Sequence, residues 1–105
     1  MINSINLEQF KNLIKQDKEN LEIIDVREED EFKNIRIKNS TLIPMGKIMD
    51  NLDKINWDKK VVLVCRSGGR SGYVAKMLSG IGKKVSNLEG GINSLEEDNC
   101  ECLER

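Results

Sequence analysis

Val61-Val62-Leu63-Val64, followed directly by Cys65-Arg66-Ser67-Gly68-Gly69-Arg70-Ser71, decides how this chain is read. Four consecutive apolar residues, mostly β-branched, predict a strand buried on both faces, as in the centre of a parallel sheet. A thiol stands at its carboxyl end. A glycine-containing loop runs to Ser71, and a helix follows with Val74, Met77, Leu78 and Ile81 as its buried face and Gly82 as its stop.

Outward from this centre, strand and helix patterns alternate. Asn6 and Gln9 form a capping box ahead of Leu7, Phe10, Leu13 and Ile14, whose spacing predicts an amphipathic helix over 7–16. The run 21–26 reads as a buried strand and 28–32 as a short helix, acidic at its start as the helix dipole favours. A short strand is predicted at 41–43. Pro44 opens a helix over about 45–52, 84–88 is the last strand, and Gly90-Gly91 turns into a final short helix over 92–96. The polar end, 96–105, reads as a loose tail. Such alternation predicts one α/β domain over 1–105 with a mainly parallel sheet. Ligands of open sheets of this kind bind outside the carboxyl ends of the strands, where Cys65 lies.

Bulk composition narrows the function. With 33% charged residues but a net charge of only -1, the chain gives no reason to expect nucleic acid or membrane as partner. No apolar run approaches the length that crosses a bilayer, and the start of the sequence does not read as a leader, so a cytoplasmic location is expected. The three cysteines are odd in number and not spaced as a disulfide framework, which fits a reducing compartment. The complete lack of histidine removes Ser-His-Asp and Cys-His catalysis and every histidine-containing metal site. No metal and no cofactor are expected.

The loop itself predicts anion chemistry. Glycines let main-chain amides turn inward around one side chain and let ligand atoms approach closely. Inward amides and the following helix start favour thiolate over thiol, so Cys65 is expected to ionise below its usual range. Arg66 and Arg70 add charge, and a guanidinium fork suits an oxyanion. A persulfide would also sit well here, because its outer sulfur carries the charge one bond further out.

The Cys65–Arg70 loop resembles the active-site loop of the rhodanese-type sulfurtransferases. The segment 21–27, ending Asp25-Val26-Arg27, is similar to that family's strand-Asp-Val-Arg element, and Leu88-Glu89-Gly90-Gly91-Ile92 to its late Leu-x-Gly-Gly element. The resemblance implies a rhodanese-like fold: a five-stranded parallel sheet with helices on both faces. It also implies persulfide chemistry on Cys65, with Arg66, Ser67, Gly68, Gly69 and Arg70 binding the sulfur and its donor. The implied partners are a small sulfur donor such as thiosulfate and an acceptor that is cyanide, a thiol or a protein. The chain departs from the family at 34–41, where a glycine- and histidine-containing stretch usually stands, and at Leu95, where a tryptophan is usual.

Other residues carry two readings each. Asp25 and Arg27 read first as structural groups at a strand end and second as support for the site, as does Ser71. Cys100 and Cys102 read as part of a frayed tail or as resolving thiols that take sulfur from Cys65 or form a disulfide with it. Two rival functions remain. One is a non-catalytic binding module of the same fold. The other is a cysteine-based phosphatase or arsenate reductase, whose loops are one residue longer between cysteine and arginine.

Overall fold

A computed structural model describes residues 3–105. Met1 and Ile2, on which part of the leader-free reading rests, lie outside them. Five strands, β1 (Asn3–Ile5), β2 (Leu21–Asp25), β4 (Thr41–Leu42), β5 (Lys60–Val64) and β6 (Ser86–Leu88), form one sheet in the order β1-β6-β5-β2-β4, with every neighbouring pair parallel. Helices α1 (Leu7–Asp17), α2 (Glu29–Asn34), α3 (Gly69–Gly80) and α4 (Gly91–Glu97) make the crossovers and edges. A separate antiparallel pair joins β3 (Arg36–Ile37) to β7 (Leu103–Glu104).

The central strand divides its side chains between two cores, as the two-residue period of a strand requires. Val61 and Leu63 face a cluster with Ile24, Ile48 and, from α3, Val74, Ala75 and Leu78. Val62 and Val64 face the other cluster, with Phe10 of α1 and Ile92 and Leu95 of α4. Cys65, one residue past the strand, continues the alternation onto the α3 side. This arrangement places a fully enclosed thiol at the carboxyl edge of the sheet, beside the start of α3.

Several expectations are corrected. Residues 45–52 do not form an α-helix; two 3-10 turns, Met45–Lys47 and Leu52–Lys54, stand there instead. The Asn51 side chain donates to the Lys47 carbonyl at 2.7 Å, which ends the first turn, while Ile48 drops into the core. Ile81 is 51% exposed because α3 stops at Gly80, so it leaves the buried face to Val74 and Leu78. β6 is shorter than 84–88. The polar Asn3–Ile5 segment carries no strand pattern of its own, yet it becomes β1 because β6 offers it a parallel edge.

The end of the chain is not loose. Asp98 accepts from Lys11 Nζ at 2.9 Å, the Lys38 amide donates to the Cys102 carbonyl at 2.7 Å, and Arg36 Nε donates to Glu104 at 2.9 Å. Leu103, Cys100 and Cys102 pack against the α1–α4 core. Polarity in sequence misled here: Glu96, Asp98, Glu104 and Arg105 have ion partners, and the few apolar side chains have a core to cover. The atypical 34–41 segment supplies the other half of this clasp through β3. No helix among the described residues is long and apolar enough to cross a membrane.

Asp25 and Arg27 form the one deeply buried ion pair among the described residues. They are 1% and 0% exposed. Arg27 donates from Nε and Nη2 to the Asp25 carboxylate at 2.8–3.1 Å and from Nη2 to the Ile35 carbonyl at 2.6 Å. The same carboxylate accepts the Arg27 amide at 3.0 Å, so it fixes the chain as it leaves β2. Removing the carboxylate would strand a buried cation. Asp25→Ala is expected to cost about 3–5 kcal/mol of stability, measured by urea unfolding; a loss below about 1 kcal/mol, the level of an exposed pair, would contradict this account.

Candidate active site

The loop after β5 is built from both sides. Its carbonyls are taken by α4: the Ile92 amide donates to the Cys65 carbonyl at 3.0 Å and the Asn93 amide to the Arg66 carbonyl at 2.9 Å. A trans peptide points its N–H opposite to its C=O. Turning the Arg66 carbonyl toward α4 therefore turns the Ser67 amide the other way, toward the sulfur. Gly91 makes this approach feasible: a Cβ there would collide with the Cys65 and Arg66 carbonyl oxygens, and its φ is +52°. Gly68, at φ +101°, supplies the second constraint by bending the loop back into the first turn of α3.

The sulfur at the centre is 1% exposed by residue. The Gly68 amide donates to Sγ at 3.1 Å, and the Ser71 hydroxyl lies 3.3 Å away. Burial pushes the Cys65 thiol up. The Ser71 hydroxyl and the amides of Ser71, Gly68 and Ser67 push it down by more, so it ionises below its ordinary value of 9.0. The amino end of α3 adds to the same field.

The arginines are placed differently from the sequence-based expectation. Both terminal nitrogens of Arg70, expected to meet a substrate oxyanion, donate to Glu31 of α2, at 2.7 and 2.9 Å. Arg66 Nη1 donates to Asn93 at 3.0 Å and to Glu96 at 3.3 Å. Each guanidinium thus braces the loop against a neighbouring helix, and a substrate anion would have to compete with a carboxylate. Ser71 meets the sulfur directly, whereas Asp25 and Arg27 pair with each other at the end of β2.

Cys100 and Cys102 are bonded to each other, leaving Cys65 as the free cysteine. They sit with α1 beside a surface cavity of about 530 Å³, and none of that cavity's lining comes from the Cys65 loop. Among the described residues, no cluster of acidic and cysteine side chains could hold a metal ion.

Two functional-looking residues escaped the reading of the sequence. Glu31 was one acid among several in a short helix, and nothing local distinguishes the one that meets Arg70. Asn87 had a signal: asparagine is disfavoured in strands, and it stands inside one. Its Oδ1 lies 2.5 Å from the Ser71 hydroxyl oxygen, and its Nδ2 donates to the Gly68 carbonyl at 3.2 Å.

A parallel α/β sheet with a cysteine-initiated loop of inward amides at its carboxyl edge defines a cysteine-based anion-loop domain. The particular family follows from comparison with known proteins: the rhodanese-like domain model matches residues 6–98, and the chain belongs to that family. YtwF of Bacillus subtilis, which its name marks as a candidate sulfurtransferase, is 39% identical over 95 residues, covering 90% of this chain and 91% of its own. A protein of Allochromatium vinosum named as a sulfurtransferase is 34% identical over 94 residues, covering 88% and 86%. The crystal structure of a rhodanese-like domain protein from Staphylococcus aureus superposes with a TM-score of 0.82 at 35% identity, over 97% of this chain and 96% of that one.

The Glu31–Arg70 bond sets a pH dependence. The Arg70 guanidinium holds the Glu31 carboxyl down at about 2, from an ordinary value of 4.5. A depressed carboxylate stabilises the fold fully above its unfolded value, and that contribution is lost as pH falls through the folded value. The stability gap between wild type and Glu31→Gln is therefore expected to be widest above 4.5 and to close toward pH 2, read by urea unfolding at several pH values. A gap constant across that window would refute the assignment.

Proposed function

We propose that this protein is a sulfurtransferase that carries sulfane sulfur as a persulfide on Cys65. The observation that carries the reading is the cradle at Sγ: amide donors converge on a free, enclosed cysteine whose ionisation they favour, while the neighbouring carboxylates of Glu31 and Asp25 are committed to Arg70 and Arg27. Sulfur transfer suits such a site because it needs no general acid or base. The Cys65 thiolate attacks the outer sulfur of a donor such as thiosulfate. An S–S bond forms to Sγ as the donor's S–S bond breaks, and sulfite leaves with the electron pair. The negative charge then rests on the outer sulfur, within reach of the amides of residues 66–70. An acceptor thiolate, of a small molecule or a protein, or cyanide attacks that outer sulfur in turn and releases the Cys65 thiolate. Charge balances at each step without a proton being moved.

Membership of the rhodanese-like family and relatives named for sulfur transfer support this reading. Donor and acceptor are proposed by chemistry alone. The field at the loop favours an anionic donor, while the carboxylates that occupy Arg66 and Arg70 favour one recognised mainly by its terminal sulfur. Sulfur leaves from Cys65 directly. Cys100 and Cys102, tied together beside α1, take no part in loading, in place of the resolving role raised by the sequence.

Intact mass spectrometry tests this. After incubation with thiosulfate, the protein is expected to gain the mass of one sulfur atom, and Cys65→Ala is expected to gain none. No gain in the wild-type protein with thiosulfate, or an equal gain in the variant, would reject persulfide formation at Cys65 from this donor. Cys100→Ser combined with Cys102→Ser is expected to load as the wild type does; loss of loading would show that the tail pair takes part.

A further inference from the structure

Ser71 has one hydroxyl hydrogen and two neighbours that can accept it. Cys65 Sγ lies at 3.3 Å and Asn87 Oδ1 at 2.5 Å. The orientation of Asn87 is fixed independently, because its other atom faces the Gly68 carbonyl at 3.2 Å and a carbonyl can only accept. Nδ2 must point there, so Oδ1 must point at Ser71. Both residues are enclosed: Ser71 is 0% exposed and Asn87 is 9% exposed. Asn87 is held in register with Leu63 on the central strand, which aims it at the α3 side of the sheet, beneath Ser71. The lack of a side chain at Gly72 gives it room, since a Cβ there would stand 3.3 Å from Nδ2.

We propose that Asn87 is a positioning residue for Cys65, whose Oδ1 competes with the sulfur for the Ser71 hydrogen, so that the hydroxyl serves the bare thiolate and returns to Asn87 once sulfur is loaded. This deepens the persulfide reading and rests on it for its last step. With a neutral thiol, the Cys65 S–H donates to Ser71 Oγ and the hydroxyl donates to Asn87. With a thiolate, the hydroxyl must turn to Sγ, and Oδ1, enclosed in the sheet, loses its donor. With a persulfide, the charge sits on the outer sulfur, inner Sγ no longer needs a strong donor, and the hydroxyl goes back. Asn87 therefore makes the bare thiolate less comfortable than the amide cradle alone would. A less stabilised thiolate is the stronger nucleophile, and the loaded state gains relative to it.

The other charged groups around the sulfur are Arg70 on α3, Glu31 on α2, the Asp25–Arg27 pair after β2, and Arg66 in the loop; all stay unchanged in the test. The rate of Cys65 alkylation by iodoacetamide is followed against pH in the absence of any sulfur donor. Ser71→Ala removes a donor from the thiolate and is expected to raise the midpoint, by about one pH unit. Asn87→Leu removes the competing acceptor and is expected to lower it, by about half a unit. In the Ser71→Ala background, Asn87→Leu is expected to have no further effect. Asn87→Ala, which removes the same acceptor without adding a charge, is expected to lower the midpoint as well and covers the case in which Asn87→Leu does not fold. Ser71→Thr, which keeps the hydroxyl, is expected to restore the wild-type profile.

A merely structural role for Asn87 would move both single variants in the same direction, or would shift the midpoint equally with and without the Ser71 hydroxyl; either result overturns the proposal. The loaded fraction at a fixed thiosulfate-to-sulfite ratio, above the midpoint, is expected to fall in Asn87→Leu relative to wild type, and an unchanged or higher fraction counts against the last step. Failure of the wild-type protein to load at all would reject the persulfide reading alone, because the alkylation cycle uses no sulfur.

Discussion

The first turn of α4 donates two amides into the loop that follows the central strand, to the Cys65 and Arg66 carbonyls. Peptide planarity does the rest, since a carbonyl committed to one side commits the next amide to the other. Were those carbonyls free to turn inward, the sulfur would face oxygen dipoles of the wrong sign and the thiolate would be disfavoured. The anion site is thus made jointly by a loop and a helix distant from it in sequence, with Gly91 removing the Cβ that would hold them apart. The Leu-x-Gly-Gly element is in this sense part of the site, although it contributes no side chain to the sulfur.

Electrostatics around the loop follow a similar logic of commitment. Arg66 and Arg70 supply positive potential, yet each is bound to an acid on a neighbouring helix. The pairs anchor α2 and α4 to the loop and leave little unopposed charge at the mouth. What remains there is the short-range field of amides and a helix start close to Sγ.

Much of this architecture was legible from local pattern. The β5 run, the loop composition and the capping box of α1 are properties of adjacent residues, and each reappears at its place in the fold. Where local signals were weak the reading failed for identifiable reasons. The 45–52 segment has apolar residues at helical spacing, but the Asn51 side chain takes the Lys47 carbonyl that a continuing helix would use, and only Ile48 is fully buried, with Met45 and Leu52 partly so. The tail looked loose because its stabilising partners lie far away along the chain, as with Lys11 and Asp98, 87 residues apart, and Arg36 and Glu104, 68 apart.

By itself the sequence determined the α/β class, the order of most elements, and a cysteine followed by glycines and arginines at a strand end. Periodicity, glycine content and the absence of histidine are chemical facts that need no coordinates. Only the tertiary structure decided which acid each arginine holds, that Asn87 shares the Ser71 hydrogen with the sulfur, and that the two tail cysteines pair with each other. The side-chain bonds to Glu31, Asn93 and Asn87 join residues 39, 27 and 16 positions apart. A hydrogen bond acts over about 3 Å, so its partner is chosen by how the chain folds back on itself, and no local pattern encodes that choice.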